Sequence, residues 1–108
     1  MQTRIMYIEN KDTGVARIGR VSFSPTRKTC EYNGHALART RDYKANHRDL
    51  ETGERYWISG CKRRGGDRLY SGVIEIDEDV REAYWTSVRQ LPERKHERVI
   101  RDNGQYAR

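Results

Sequence analysis

Up to Ile76 the apolar residues fall in short clusters with a period close to two, separated by turn-forming residues. RIMYI (Arg4–Ile8) is rich in β-formers and predicts a short strand with little polar face. NKDTG (Asn10–Gly14) is a turn by composition. In ARIGRVSFS, Ala16 and Ile18 set one alternation and Val21 and Phe23 the opposite one, with Gly19 between them. That change of phase predicts a bulge or sharp bend at Gly19, and Pro25 closes the strand.

TCEYNGHALA carries the strongest short hairpin signal in the chain. Asn33-Gly34 suits a type I′ turn, whose two central residues both need positive φ. With that turn Tyr32 lies opposite His35 and Cys30 opposite Leu37, all four on one side, and Cys30 and Leu37 mark that side as the inner one. A second hairpin is written around Glu51-Thr52-Gly53-Glu54, leading into Tyr56-Trp57-Ile58. A third is expected where the loop CKRRGGD joins that strand to RLYSGVIEI. The spacing describes a mainly β (α+β) domain, a small antiparallel meander or SH3-like open barrel.

After Ile76 the period changes. In DEDVREAYWTSVRQLP, Val80, Tyr84, Val88 and Leu91 recur at helical spacing, and Asp79 and Glu82 have the spacing of a capping box. Asp77, Glu78 and Asp79 suit the positive end of a helix dipole, and Pro92 stops the helix. A helix over about 78–91 is predicted, packed on the barrel and completing a domain of residues 1–91. Residues 92–108 read as a polar tail, flexible or docking on a partner, with only Val99 and Ile100 as an anchor.

Composition narrows the picture. Leu, Ile, Val and Phe number only 18 of 108 residues, but seven Tyr and two Trp add buried area, so a small-cored folded domain is expected. Net charge is +6, and residues 1–76 carry 15 Lys/Arg against 9 Asp/Glu, so the strand-rich body is the basic part. Such a body attracts polyanions over roughly 8 Å at physiological salt. The first residues do not resemble a signal peptide, and no apolar run approaches the ~20 residues that cross a bilayer. Two cysteines in that setting point to free thiols and a cytoplasmic location.

The candidate chemistry follows from charge and aromatics. Lys62, Arg63, Arg64 and Arg68 offer salt-dependent phosphate affinity, with Arg55 and Trp57 beside them and Lys44 and Arg48 as possible additions to the same face. Gly65 and Gly66 would let backbone N–H groups approach a phosphate. On the helix, Arg81, Trp85 and Arg89 fall at i, i+4 and i+8; Trp85 either widens the core face or marks a partner site. Cys30, His35, His47 and Cys61 have ligand types that suit zinc but no recognised spacing, and a Cys30–Cys61 disulfide is disfavoured by the inferred cytosol. His35 near Cys30, and the carboxylates Asp49, Glu51 and Glu54, are the nearest approach to catalytic groups; no oxyanion-hole motif accompanies them. No cofactor or metal is expected.

ARIGRVSFS, DLETGERYWISGCKRRGGDRLY and IEIDEDVREAYW together resemble a family of short bacterial proteins with the pattern ARIGRV-F, ETGE-YWISG, DRLY and IDEDVR-YW, over about Met6 to Leu91. The resemblance implies a shared fold and brings no activity or functional residues. Some members are labelled 1-deoxy-D-xylulose-5-phosphate synthase; this sequence has no diphosphate-cradling motif and is too short for the large thiamine-diphosphate domains of such enzymes. The expected function is therefore a non-enzymatic binding module whose basic face meets nucleic acid or another acidic partner. The alternative is a protein-interaction accessory, such as an immunity protein or antitoxin, acting through the helix and tail.

Overall fold

A computed structural model describes residues 2–68, 70, 72–102 and 104. β1 (Gln2–Asn10) and β2 (Ala16–Phe23) pair antiparallel from Gln2 opposite Phe23 to Glu9 opposite Ala16. β3 (Thr29–Tyr32) and β4 (His35–Arg39) form the expected hairpin, with φ of +52° at Asn33 and +81° at Gly34. Tyr32 lies opposite His35 and Cys30 opposite Leu37, as the turn type requires. β5 (His47–Asp49) and β6 (Arg55–Gly60) follow around a turn at Gly53, and β6 returns to pair with β1. The meander thus closes into a six-stranded antiparallel barrel, where the sequence predicts an open one, and closure removes the exposed edges of those strands.

β1 from Met6 onward and most of β2 are buried on both faces. Met6 and Ile8 of β1 and Val21 and Phe23 of β2 point into the barrel with Cys30, Tyr32, Leu37 and Ile58. Tyr7, Ala16 and Ile18, on the opposite faces of the same strands, form a second core with Ile74, Ile76, Val80, Tyr84 and Trp85. This explains the change of phase at Gly19 without the expected bulge: the β1–β2 register runs unbroken through Met6 opposite Gly19. β2 serves one core with its first half and the other with its second. Glycine is needed there because a Cβ would lie 2.4 Å from Tyr32 Cε1 and 2.5 Å from Asp77 Oδ2.

The second core is closed by β7 (Gly72–Ile76), which runs parallel to β2 at Arg17 and Ile18, and by β8 (Val99–Asp102), antiparallel to β7. The CKRRGGD loop is therefore a crossover and not the tip of a third hairpin. Both edges of β6 are already taken, by β1 and β5, so β7 has no place beside it. The expected tail is likewise folded as far as Asp102: a 3₁₀ turn at Pro92–Arg94 leads into β8, and Ile100 packs against the second core. Residues 103 and 105–108 of that tail lie outside the described residues.

The helical segment occupies the expected place with mixed winding. Glu78–Val80 is a 3₁₀ turn, Arg81–Ala83 is α-helical and Tyr84–Val88 is wound as a π-helix. The wide turn lets two consecutive rings, Tyr84 and Trp85, face the same core, edge to face at 5.2 Å. Thr86 Oγ1 donates to the Glu82 carbonyl at 2.8 Å, competing with the regular backbone bond at that position. The expected capping box does not form. Asp77 holds the cap position without a capping bond, because its carboxylate is taken by Arg17 Nε at 2.7 Å and the Tyr32 hydroxyl at 2.5 Å.

Two glycines of the barrel wall give opposite expectations. Gly19→Ala should lower stability by about 1–3 kcal/mol, as overpacking does in a filled core. Gly60→Ala should be neutral or slightly stabilising, since nothing lies within 4 Å of its open side and its φ is not positive. Urea unfolding of both variants checks the pair; equal midpoints would contradict the packing argument.

Candidate functional site

The basic loop is fixed from below by Asp67, which is 4% exposed. Its Oδ1 accepts the Lys62 backbone N–H at 2.8 Å, and its Oδ2 accepts Arg89 Nη2 at 3.0 Å. The Asp67 N–H in turn donates to Asp102 Oδ2 at 2.8 Å. Arg89 completes the brace by donating to the Gly65 carbonyl at 2.8 Å and to the Tyr84 hydroxyl at 2.7 Å. Burial raises the Asp67 carboxyl above its ordinary value, against the pull of the Lys62 amide and the Arg89 guanidinium. The two glycines serve this brace. Gly65 has φ +80°, and a Cβ on Gly66 would lie 2.2 Å from Asp102 Oδ1. The backbone approach expected toward a phosphate is made here toward a carboxylate.

The cations above this brace diverge. Arg63 and Arg64 are exposed and line a groove of about 580 Å³ with Arg89, Arg94, Arg101 and Trp85. Arg94 lies 4.3 Å over the Trp85 ring and is paired with Glu97 at 2.7 Å. The side chains of Arg63, Arg64 and Arg101 make no hydrogen bond or ion pair with any of the described residues. Lys62 turns to another hollow, shared with Lys44 and Trp57. Arg68 folds back over Gly72 and donates to the Val73 carbonyl at 3.1 Å. Arg55, at the far end of β6, is paired with Asp12 at 2.9 Å, and Arg48 with Asp42 at 2.6 Å. Of the six residues expected to bind polyanions, two therefore face the arginine groove, Lys62 and Trp57 share a second hollow, and Arg68 and Arg55 are engaged internally.

The helical set is placed inward. Trp85 is 1% exposed and its Nε1 donates to the Glu97 carbonyl at 2.9 Å, so it widens the core. Arg89 is the buried partner of Asp67, and Arg81 donates to the Ile76 carbonyl at 3.0 Å. Arg101 and Arg94 escaped the sequence reading because their segment read as tail. The β-branched pair Val99-Ile100 was the one sign that it could be a strand.

Cys30, His35, His47 and Cys61 do not converge. Cys30 is in the barrel core and Cys61 packs on the second core, so the wall separates them, and both are free thiols. Burial pushes the Cys30 thiol up to about 11 and the Cys61 thiol up to about 12. His47 is buried beside Asn46, and its desolvation lowers its pKa, with Arg39 adding to the shift. Among the described residues no three His, Cys, Asp or Glu side chains are grouped to hold a metal ion.

His35 Nδ1 lies 2.9 Å from Asp49 Oδ2 at the mouth of the barrel, beside a recess of about 150 Å³ lined also by Tyr32 and Tyr56. Asp49 Oδ1 accepts the backbone N–H groups of Glu51 and Thr52 at 2.8 and 3.2 Å, which makes this carboxylate the brace of the β5–β6 turn. Desolvation alone would raise its pKa; the two backbone N–H groups and His35 outweigh it and hold the carboxyl below its ordinary range. Compared with protein-family models, curated proteins and solved structures, the chain matches none.

Because the folded value of Asp49 is lowered, its contribution to stability is present above the unfolded pKa, about 3.9, and is lost as pH falls through the folded value. Asp49→Asn should therefore lower stability at neutral pH and flatten the acid limb of a stability–pH curve; an unchanged slope would count against the brace. Arg89→Met should cost about 3–5 kcal/mol, because it leaves Asp67 buried without its cation. Adding Asp67→Asn to that variant should recover part of the loss in urea unfolding.

Proposed function

We propose that this chain is a non-enzymatic binding module of the cytoplasm whose basic surface takes nucleic acid. The observation that carries the reading is the contrast within one loop. Its base is locked by Asp67, Arg89 and Asp102, while Arg63 and Arg64 are held out beside Arg101 with no partner among the described residues. A guanidinium fork matches two oxygens of a phosphate, and the rigid loop lowers the cost of ordering these side chains on binding. Lys62 adds charge next to the groove, while Arg68 and Arg55 contribute to the field without direct contact. No helix among the described residues is long and apolar enough to cross a membrane.

A protein-interaction surface centred on Arg81, Trp85 and Arg89 has less support, because each of these side chains is engaged within the fold. Membership of the family of short bacterial proteins suggested by the sequence motifs belongs to this proposal as a matter of fold and adds no activity to it.

Fluorescence anisotropy with a labelled oligonucleotide at several salt concentrations tests the reading. Binding should weaken steeply with salt, and each phosphate-contacting arginine removed should reduce the log–log slope by about 1. Arg63→Glu with Arg64→Glu should weaken binding at low salt by about tenfold or more, with an unchanged circular dichroism spectrum. No binding at low salt, or a charge-reversed variant that binds like the parent, would overturn it.

A further inference from the structure

Large aromatic side chains gather on the other side of the same loop. Trp57 is 39% exposed on the outer face of β6, Tyr43 in the β4–β5 connection is 80% exposed, and Tyr70 is 60% exposed. Tyr43 and Tyr70 flank Lys44, whose Nζ lies 5.3 Å from the Tyr43 ring centroid and 5.8 Å from that of Tyr70. Lys44, Trp57 and Lys62 line one hollow of about 490 Å³, floored by Ser59 and Gly60. Three separate stretches of chain thus bring exposed rings and lysines to one place, where the hydrophobic effect alone would have buried the rings.

The patch is built on a fixed support. Asn46 Nδ2 donates to the Ile58 carbonyl at 2.8 Å, and its Oδ1 accepts the Ile58 N–H at 2.8 Å, so one side chain stands in for a strand partner of β6. This ties the Tyr43-Lys44 turn to the residue that follows Trp57. Lys44 itself sits at φ +60°, a conformation that a non-glycine residue adopts only when its surroundings impose it.

The charge of the patch selects its ligand. Of the two acidic groups that line the hollow, Glu9 is neutralised by Lys11 at 2.9 Å and accepts the Tyr7 hydroxyl, and Asp67 is buried against Arg89. The exposed charges are those of Lys44 and Lys62, which repel a cationic ligand of the kind aromatic cages take. Rings beside ammonium groups suit a ligand with flat apolar faces and negative linkages, which is the chemistry of unpaired nucleobases on a phosphate backbone. In a duplex those faces are stacked and out of reach.

We propose that Tyr43, Lys44, Trp57, Lys62 and Tyr70 form a base-stacking platform that makes the module selective for single-stranded nucleic acid. The inference rests on the polyanion reading, and loop 61–68 links the two sites, with Lys62 on the platform and Arg63 and Arg64 at the arginine groove.

Tryptophan fluorescence and anisotropy would be followed while titrating mixed-sequence single-stranded DNA, the matched duplex, inorganic polyphosphate and an acidic peptide. Trp85 is 1% exposed but borders the arginine groove, so the Trp57→Phe variant, which leaves Trp85 as its one tryptophan, assigns the quenching: it should lose the signal. The single strand should quench and bind about tenfold more tightly than the duplex, and polyphosphate should bind without quenching. Trp57→Ala with Tyr43→Ala should lower single-strand affinity about tenfold and leave polyphosphate affinity unchanged, whereas Trp57→Phe, which keeps a ring, should retain the preference. Equal binding of single strand and duplex, or a preference for the acidic peptide, would overturn the platform. The equal-binding result leaves the polyanion reading standing, while failure of every polyanion to bind would remove both.

Discussion

β1 and β2 meet along their whole length, and the wall they make supplies side chains to two cores at once. A short chain poor in aliphatic residues cannot fill one large interior, and the shared wall lets each of its few large side chains count in a small one. Each such side chain contributes about 1.5–3 kcal/mol on burial. The position of everything else follows from the wall. The barrel must close on the inner face, and β7, β8 and the helical segment must cover Tyr7, Ala16 and Ile18 on the outer one. The segment that follows β6, residues 61–68, carries the basic run and belongs to the crossover between these two coverings.

The loops are organised by short polar side chains acting as substitutes for backbone. Asn10 Oδ1 accepts the N–H groups of Asp12 and Thr13, Asp49 those of Glu51 and Thr52, and Asp102 those of Asp67 and Arg68. Asn46 supplies both a donor and an acceptor to Ile58. Each bond satisfies main-chain groups that a loop would otherwise leave to water, and so holds the connections without apolar residues. The surface is then left open to cations, and the arginines at the groove are held by a loop that has its own foundation.

Local signals in the sequence were sufficient where structure is local. Asn33-Gly34 identified a hairpin and its register, and the Val80, Tyr84, Val88 spacing identified the face of the helical segment. The readings that changed all depended on partners distant in the chain. Gly19 looked like a bulge because alternation cannot distinguish a bend from a strand buried on both faces. CKRRGGD looked like a hairpin tip because nothing local shows that β6 has already used both its edges. At the candidate site, Arg63 and Arg64 were visible as charge. Their separation from Lys62 and Arg68, and the addition of Arg101, follow from the placement of β8, and a polar stretch such as RVIRD gives little sign of that.

Asp102 ties the loop to a distant part of the chain. The carboxylate that receives the Asp67 N–H comes from a residue 35 positions later, on the last strand of the sheet. The position of the arginines around the groove is therefore specified jointly by the loop after β6 and by four residues on the far side of the helical segment. A change in β8 can redraw the charge pattern of the loop without touching a single cation in it.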